Sequence, residues 1–288
     1  MRERGLLRGV SGKLRAVLKH LAQAGPERQV AKHWLLKPAG AMNRGFRADN
    51  QIHFSSYENY QRIDVQGQSF LWPKSFPREF ALNILAELFV ADHPHQYLYG
   101  ATPLAADDVV LDIGACEGSF AAYVAARCRE VVCVEPSPAM CALIPRLFAL
   151  RQLPAPRVLQ CLLGAGSGLA HFYDDASNPA ASRIVDHASD GAYPVPVRTL
   201  DEVAEALERK PTFIKCDAEG AEPLIFAGGA RFLRRHHPRL AITTYHNDGD
   251  YRAMFDLLRS FDYQVEGKGL LYSPERSTLR VQMIHAWA

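Results

Sequence analysis

Apolar runs and amphipathic segments alternate along most of the 288-residue chain. The β-branched apolar runs are typical of buried strands, and helical spacing follows most of them. The five runs lie at 109–113, 131–134, 157–163, 213–216 and 240–245. A turn-rich stretch joins two final runs, near 263–265 and 281–286, and favours an antiparallel pair. The pattern predicts a doubly wound α/β sheet with a terminal antiparallel hairpin.

The first hundred residues have a different pattern. It predicts an amphipathic helix, then a loop rich in Gly, Pro and Asn, a short hairpin and a second helix. In that order, these segments are Ser11 to Ala24, Lys37 to Asn50, Tyr60 to Pro73 and Glu79 to Ala91. We therefore predict an N-terminal extension over residues 1–100 and an α/β domain over residues 101–288. His93 and His95 follow the second helix, and we expect both to be solvated.

Composition narrows the class of protein without identifying a partner. The chain is 48% hydrophobic and 22% charged with a net charge of +2, which excludes a disordered chain and gives no indication of a nucleic-acid partner. Residues 1–37 are basic, with nine Arg or Lys against two Glu. The basic helix in this segment either packs on the domain, packs on a second subunit of a homo-oligomer, or lies on an anionic membrane surface.

The six cysteines include no CxxC pair, so neither a disulfide framework nor a zinc site is indicated. Buried free thiols fit a reducing compartment better. No apolar run is long enough to cross a membrane, and the N-terminus lacks the apolar segment and cleavage site of a signal peptide. We therefore expect a cytoplasmic protein.

The stretch VVLDIGACEGSF, from Val109 to Phe120, joins a strand to a helix through a glycine-rich turn. Its spacing is DxGxxxG, whereas a dinucleotide site has GxGxxG. Carboxylates at Asp112 and Glu117 would repel a pyrophosphate and suit a cationic amino-acid moiety and ribose hydroxyls. The turn therefore favours S-adenosylmethionine, and a nicotinamide-dependent oxidoreductase is the less favoured alternative. The candidate cofactor residues are Asp112, Gly114, Ala115, Cys116, Glu117 and Gly118.

The second strand ends at Glu135, Pro136 and Ser137, about twenty residues after the first glycine. Glu135 is placed to accept hydrogen bonds from ribose hydroxyls, although the dipole of the next helix also explains an acid there. The long polar segment Asp174 to Pro194 has neither a strand nor a helix period, and we take it as a candidate substrate lid.

The stretch PTFIKCDAEGAE carries the second group of acids. Asp217 lies at the carboxyl end of the fourth strand and is followed by Glu219, while His246 follows the fifth strand. The helix dipole explains Glu222 and part of Glu219, but not Asp217.

Taken together, DIGACEG, VEPSP, TLDE, IKCDAEGAE and the histidine of TTYHN resemble the FkbM family of S-adenosylmethionine-dependent methyltransferases. The resemblance implies a class I methyltransferase fold with strand order 3-2-1-4-5-7-6, and O-methylation of a hydroxyl on a sugar or secondary metabolite. It assigns Asp112, Gly114 and Gly118 to the cofactor, with Glu135 on the ribose. The family usually has DVEGAE where this chain has DAEGAE, and it more often has an amide and an apolar residue at Cys116 and Glu117.

If the fourth and fifth strands are neighbours, Asp217 and His246 project from adjacent tips into one space. We interpret His246 as the base that activates the acceptor hydroxyl, with Asp217 either orienting it or holding the cofactor's ammonium group, and Glu219 beside them. A hydrogen-bonded polar histidine is the structural alternative. Asp217 with Glu219 or His246 is also a possible divalent-metal ligand, but the sequence shows no tight ligand set. A noncatalytic cofactor-binding scaffold is the alternative function.

Overall fold

The computed structural model describes residues 16–17, 26–34, 37–175, 182–185, 191–247, 249–273 and 278–288. Apart from Ala16 and Val17, which are helical, the predicted helix from Ser11 to Ala24 lies outside the described residues. The helices of the described part are α1 (Pro26–Trp34), α2 (Ala39–Asp49), α3 (Arg78–Phe89), α4 (Ser119–Val124), α5 (Pro138–Leu150), α6 (Leu200–Ala206), α7 (Glu222–Ala227), α8 (Ala230–His236) and α9 (Asp250–Arg259).

The described strands form three sheets. They are β1 (His53–Tyr57), β2 (Tyr60–Val65), β3 (Gln68–Pro73), β4 (Val109–Ile113), β5 (Glu130–Val134), β6 (Arg157–Leu159), β7 (Leu162–Gly164), β8 (Gly168–Tyr173), β9 (Arg183–Val185), β10 (Ala192–Thr199), β11 (Phe213–Cys216), β12 (Arg239–Thr243), β13 (Gln264–Ser273) and β14 (Thr278–Trp287).

The main sheet has seven strands in the order β6-β5-β4-β11-β12-β14-β13. Its strands pair in parallel except β14, which is antiparallel to both of its neighbours. Every residue of β4 and β11 is buried, as expected for central strands covered on both faces. When these seven strands are numbered by their order along the chain, their order across the sheet is 3-2-1-4-5-7-6. The predicted fold and its terminal hairpin are therefore confirmed.

The strand predicted at 157–163 is two strands that belong to different sheets. β6 extends the main sheet, whereas β7 begins a four-stranded sheet of order β7-β10-β8-β9. The prediction missed the break at Gln160 and Cys161 because Gln160 is the single polar, exposed residue in an otherwise apolar run from Val158 to Leu163. β9 and the start of β10 give strand structure to part of the predicted lid. Residues 176–181 and 186–190 lie outside the described residues.

The N-terminal extension contains the predicted hairpin, β2 and β3, and the predicted helix, α3, but its loop prediction is wrong. Residues 39–49 form α2 in spite of two glycines and an asparagine. Phe46 is buried and stacks on Phe89 of α3, and the amide of Asn43 donates to Asn83 Oδ1 at 3.0 Å. Packing against α3 therefore overrides weak helix propensity.

His93 and His95 are buried rather than solvated, with 0% and 3% of their surface exposed. His93 Nε2 lies 2.9 Å from Asn43 Oδ1, and His95 Nδ1 lies 2.6 Å from Glu87 Oε2. These polar partners, supplied by α2 and α3, make the burial of both rings possible.

Two hydrophobic clusters cover the two faces of the main sheet. Alternate strand residues such as Leu111 and Val132 belong to one cluster, and their neighbours Val110 and Val131 belong to the other. The second cluster also contains Phe46, Phe70, Trp72 and Leu85 of the N-terminal extension. The extension therefore packs on the sheet and shares its core, while the domain boundary at residue 100 stays a prediction.

Candidate active site

A cavity of about 480 Å³ opens at the carboxyl ends of β4, β5 and β11. One wall is the glycine-rich turn, and a second contains Asp217 and Glu219. Helix α3 closes another side with the apolar side chains of Phe80, Ile84 and Leu88. Of the predicted cofactor residues, those on the described wall are Gly114, Ala115, Cys116, Glu117, Glu135, Pro136, Ser137 and Asp217.

The two glycines of the turn are required by packing within the chain. Gly114 has φ +70°, and a Cβ there would stand 1.9 Å from the carbonyl oxygen of Asp217. Gly118 has φ +84°, and its Cβ would meet Ile144 of α5 at 3.0 Å. The absent side chains let the turn approach both β11 and α5, which brings the tips of the strands together around the cavity.

Glu135 is buried at the tip of β5 and holds the turn in place. Its Oε2 accepts a hydrogen bond from Cys116 N at 2.8 Å, and its Oε1 accepts one from Ser137 N at 2.9 Å. Burial raises the pKa of Glu135 to about 7, although these two N–H groups favour the ionised form. The carboxylate therefore changes charge near neutral pH.

Asp112 lies behind the cavity wall. It is fully buried on β4, and its Oδ1 is 3.0 Å from Nζ of Lys215. Lys215 Nζ also donates to the carbonyl oxygen of Gly114 at 2.7 Å and lines the cavity. Glu117 is buried and lines the cavity, and its Oε1 accepts from Ser119 N at 3.3 Å. The geometry gives Asp112 an ion pair within the chain, with Lys215 between it and the cavity.

Asp217 is held by hydrogen bonds from two distant parts of the chain. Its Oδ2 accepts a hydrogen bond from the Tyr97 hydroxyl at 2.7 Å, and its Oδ1 accepts one from Thr243 Oγ1 at 3.1 Å. Burial alone would raise its pKa, but Lys215, His246 and His95 lower the pKa to about 2. Asp217 is therefore a carboxylate throughout the neutral range.

His246 lies behind Asp217 and Glu219 and does not line the described cavity. Its Nε2 is 3.5 Å from Asp217 Oδ1 and 3.4 Å from Glu219 Oε2, while Nδ1 is 3.2 Å from Glu222 Oε1. Burial lowers the pKa of His246, but the three carboxylates outweigh burial and raise it to about 9. The structure thus brings the predicted catalytic residues together, and the raised pKa favours the protonated form of the His246 ring at neutral pH.

Sequence reasoning gave four polar residues of this region no role in the site. Asp174 lines the cavity and accepts a hydrogen bond from Ser137 Oγ at 2.5 Å. Lys215 could have been found because it is a charged residue within an apolar strand. Glu222 could have been found because it is an acid that lies five residues after Asp217. Tyr97 comes from the N-terminal extension, and no motif marks it. The four are Tyr97, Asp174, Lys215 and Glu222.

The sheet order, with a cavity at its strand tips beside the glycine turn, defines the class I methyltransferase fold. Residues 112–265 match the model of the methyltransferase FkbM domain. This match covers more than half of the chain. The chain therefore belongs to the FkbM family of S-adenosylmethionine-dependent methyltransferases. Among proteins with curated descriptions, none matches the chain.

Solved structures similar to this chain include other methyltransferases. Methyltransferase FkbM from Methylobacillus flagellatus KT is 21% identical with a TM-score of 0.49, and the match covers 73% of this chain and 54% of that one. This chain thus spans about half the length of that protein. Precorrin-6y C5,15-methyltransferase from Geobacter metallireducens GS-15 is 14% identical, with a TM-score of 0.40 and coverage of 64% and 81%.

A third similar structure is the tRNA (uracil-54, C5)-methyltransferase of Pyrococcus abyssi in complex with S-adenosyl-L-homocysteine. It is 11% identical with a TM-score of 0.42, and the match covers 81% of this chain and 45% of that one. At these identities no acceptor and no site residue carries over from any of the three.

Proposed function

We propose that this protein transfers a methyl group from S-adenosylmethionine to a hydroxyl oxygen of a small molecule. The observation that carries the proposal is the single cavity in which Glu135 and the glycine turn face the carboxylates of Asp217 and Glu219. S-adenosylmethionine supplies an electrophilic methyl group when it is bound. The chain then has to bind the cofactor, align the acceptor oxygen and receive a proton.

The residues on the turn side of the cavity fit the cofactor. Glu135 has the acceptor oxygens that ribose hydroxyls need, and the backbone from Gly114 to Glu117 lines the same wall beside Pro136 and Ser137. Asp112 fixes the position of Lys215 through their ion pair. Gly118 lacks a side chain and so leaves room for α5 to pack against the turn. Asp217 supplies negative charge for a cationic amino-acid moiety.

The acceptor side lies at the tip of β11. Methyl transfer forms a carbon–oxygen bond on the acceptor, breaks a carbon–sulfur bond and releases the hydroxyl proton. Glu219 lines the cavity, and burial raises its pKa to about 7, so it is placed to receive this proton. Asp217 also lines the cavity, but its pKa of about 2 makes it a weak base, and His246 stands behind both carboxylates. We therefore assign His246 the role of orienting the two carboxylates, in place of the base that the sequence suggested.

The apolar wall favours an acceptor with an apolar skeleton. Phe80, Ile84 and Leu88 come from α3, and Leu224 lines the cavity although 57% of its surface is exposed. A hydroxylated secondary metabolite suits these side chains better than an unsubstituted sugar. A small-molecule acceptor and a cytoplasmic location remain proposals. No helix in the described ranges is long and apolar enough to cross a membrane.

Thermal denaturation with and without S-adenosylmethionine tests the cofactor half. Saturating cofactor at a hundred times its Kd stabilises a protein by about 2.7 kcal/mol, and we expect a Tm rise on the order of 5 °C. Glu135→Gln should reduce the rise, and Glu208→Gln, an exposed acid, is the matched control. The absence of any rise, or selective stabilisation by NAD, would contradict the proposal.

Labelled methyl transfer tests the acceptor half. Cell extracts supplied with labelled cofactor should give a methylated product by mass spectrometry, and Asp217→Asn should abolish it. Cofactor binding without product across a broad panel of hydroxyl compounds would favour the noncatalytic scaffold instead.

A further inference from the structure

Two carboxylates and an imidazole converge at the tips of β11 and β12. Ligand atoms of Asp217, Glu219 and His246 all lie within 4.8 Å of one another. Bonds of about 2.1 Å at the tetrahedral angle hold two ligand atoms about 3.4 Å apart. The separations from His246 Nε2, 3.5 Å to Asp217 and 3.4 Å to Glu219, match that spacing.

The His246 ring is the second sign of a ligand. Only 8% of its side chain is exposed, and its ring nitrogens lie 3.2 to 3.5 Å from three carboxylates without a well-aligned hydrogen bond to any residue that the structure describes. Nε2 points at the two carboxylates of the cluster, and Nδ1 faces Glu222 at 3.2 Å. Histidines that bind metals commonly present their other nitrogen to a carboxylate, which fixes the ring orientation.

Glu222 is itself held rigidly for this role. It is fully buried at the start of α7, and its Oε1 accepts a hydrogen bond from Ala218 N at 2.8 Å. Thr243 Oγ1 lies 3.0 Å from the same oxygen, and its one proton is shared between Glu222 and Asp217. These bonds anchor the carboxylate beside the ring of His246.

The cluster carries more negative than positive charge. Asp217, Glu219 and Glu222 are three carboxyl groups around one imidazole, and the nearby Lys215 is in an ion pair with Asp112. Buried charges in proteins are usually paired or coordinate a metal. A bound cation would balance this surplus.

We propose that Asp217, Glu219 and His246 bind one divalent transition-metal ion, with Glu222 orienting the histidine. A mixed set of one nitrogen and two oxygens suits Mn²⁺, Fe²⁺ or Zn²⁺, whereas Mg²⁺ and Ca²⁺ prefer oxygen alone. Because Asp217 and Glu219 line the cavity, the ion would face the acceptor and polarise its hydroxyl. This catalytic consequence rests on the proposed methyl transfer, but the site itself does not.

Manganese binding to the full chain, stripped with chelator and free of cofactor, tests the site. The electron paramagnetic resonance signal of free Mn²⁺ should fall by one equivalent per chain. His246→Asn, Asp217→Asn and Glu219→Gln should each weaken binding at least tenfold. His53→Asn and Glu208→Gln, both exposed, are the matched controls and should bind as the parent does.

Glu222→Gln tests whether Mn²⁺ binding depends on an oriented His246 ligand or only on the negative charge of the cluster. It keeps an acceptor oxygen for Ala218 and Thr243, and loss of such a supporting carboxylate weakens metal binding about 10- to 100-fold. Circular dichroism and thermal melts confirm that each variant is folded. No stoichiometric binding by the parent chain, or unchanged binding in folded His246→Asn, would overturn the proposal.

The same preparations distinguish failure of the metal site from failure of the methyl-transfer proposal. The cofactor's ammonium group is the other cation that this charge would suit, so manganese is measured without cofactor. Thermal stabilisation by S-adenosylmethionine without manganese binding would contradict the metal site and leave the methyl-transfer proposal standing. Manganese binding without cofactor binding would support the metal site and contradict the methyl-transfer proposal.

Discussion

At the scale of single residues, Glu135 joins the structure of the turn to the chemistry of the cofactor. Its carboxylate bridges the backbone of the turn and the start of α5, and so fixes the wall that would hold a ribose. Burial brings its pKa to about 7, so that a small change of pH alters its charge. A carboxylate accepts stronger hydrogen bonds when it is ionised.

Cofactor affinity should therefore rise with pH through Glu135. The raised pKa leaves the group mostly neutral at pH 6 and mostly ionised at pH 8, so we expect Kd to fall several-fold between these values. Glu135→Gln cannot ionise and should lose this dependence while binding more weakly at pH 8. Calorimetric titration at both pH values checks this, and a parallel slope in the variant would assign the effect to another group.

Tyr97 is expected to act as a positioning residue for Asp217. Tyr97→Phe removes the 2.7 Å hydrogen bond to Oδ2, and a hydrogen bond to a charged group contributes about 1.5–3 kcal/mol. Because Asp217 faces the cofactor's cationic amino-acid moiety, we expect the cofactor Kd to rise on the order of tenfold in Tyr97→Phe. Tyr57→Phe on β1 is the matched control. An unchanged cofactor Kd in folded Tyr97→Phe would contradict the positioning role.

At the scale of elements, the close approach of the turn to β11 explains why the site forms where it does. The carbonyl oxygen of Asp217 occupies the space that a Cβ of Gly114 would need. Gly45 in helix α2 is the opposite case, because it has space for a side chain. Its backbone is helical, and the atom nearest to an added Cβ would be Asp49 Oδ2 at 4.0 Å.

Alanine substitutions at these two glycines should change stability in opposite directions. Gly114→Ala combines a positive φ with a backbone clash, and we expect a loss of about 3 kcal/mol or more in the free energy of unfolding. Gly45→Ala should gain about 0.5–1 kcal/mol, since alanine is the better helix former. Urea unfolding measures both, and a destabilised Gly45→Ala would show that α2 tolerates no added methyl group.

At the scale of the whole molecule, the N-terminal extension is tied to the far edge of the main sheet by a buried lysine. Lys268 on β13 is 0% exposed, and its Nζ donates to the carbonyl oxygens of His93 at 2.6 Å and Gln96 at 2.9 Å. Burial lowers the pKa of Lys268 from 10.5 to about 7. The same segment carries Tyr97, so this tether also positions the Asp217 neighbourhood.

The lowered pKa of Lys268 makes stability depend on pH in a defined direction. Between pH 7 and 10.5 the unfolded chain keeps the proton that the folded chain releases, so the free energy of unfolding should rise with pH. The rise is at most about 1.4 kcal/mol per pH unit. Lys268→Met should flatten it, as urea unfolding at pH 7 and pH 8 would show. Equal slopes in both proteins would mean that the amine stays protonated in the fold.

The main sheet and the principal acids of the site could be predicted because their signals are local. Apolar runs marked β4, β5 and β11, and acids at strand ends marked Glu135 and Asp217. The contact of Tyr97 with Asp217 and the burial of His93 could not be predicted because the partners of these two residues lie far away in the chain. Asn43 is fifty positions from His93, and Asp217 is 120 positions from Tyr97.

The sequence by itself determined the alternation of strands and helices, the glycine turn and the family, because hydrophobic period and motif spacing depend on neighbouring residues. The tertiary structure alone decided which of the marked groups act together. Lys215 meets Asp112 across two paired strands, and three carboxylates surround His246 and raise the pKa of its ring to about 9. Such charge states depend on burial and on distances between separate elements, which no local pattern records.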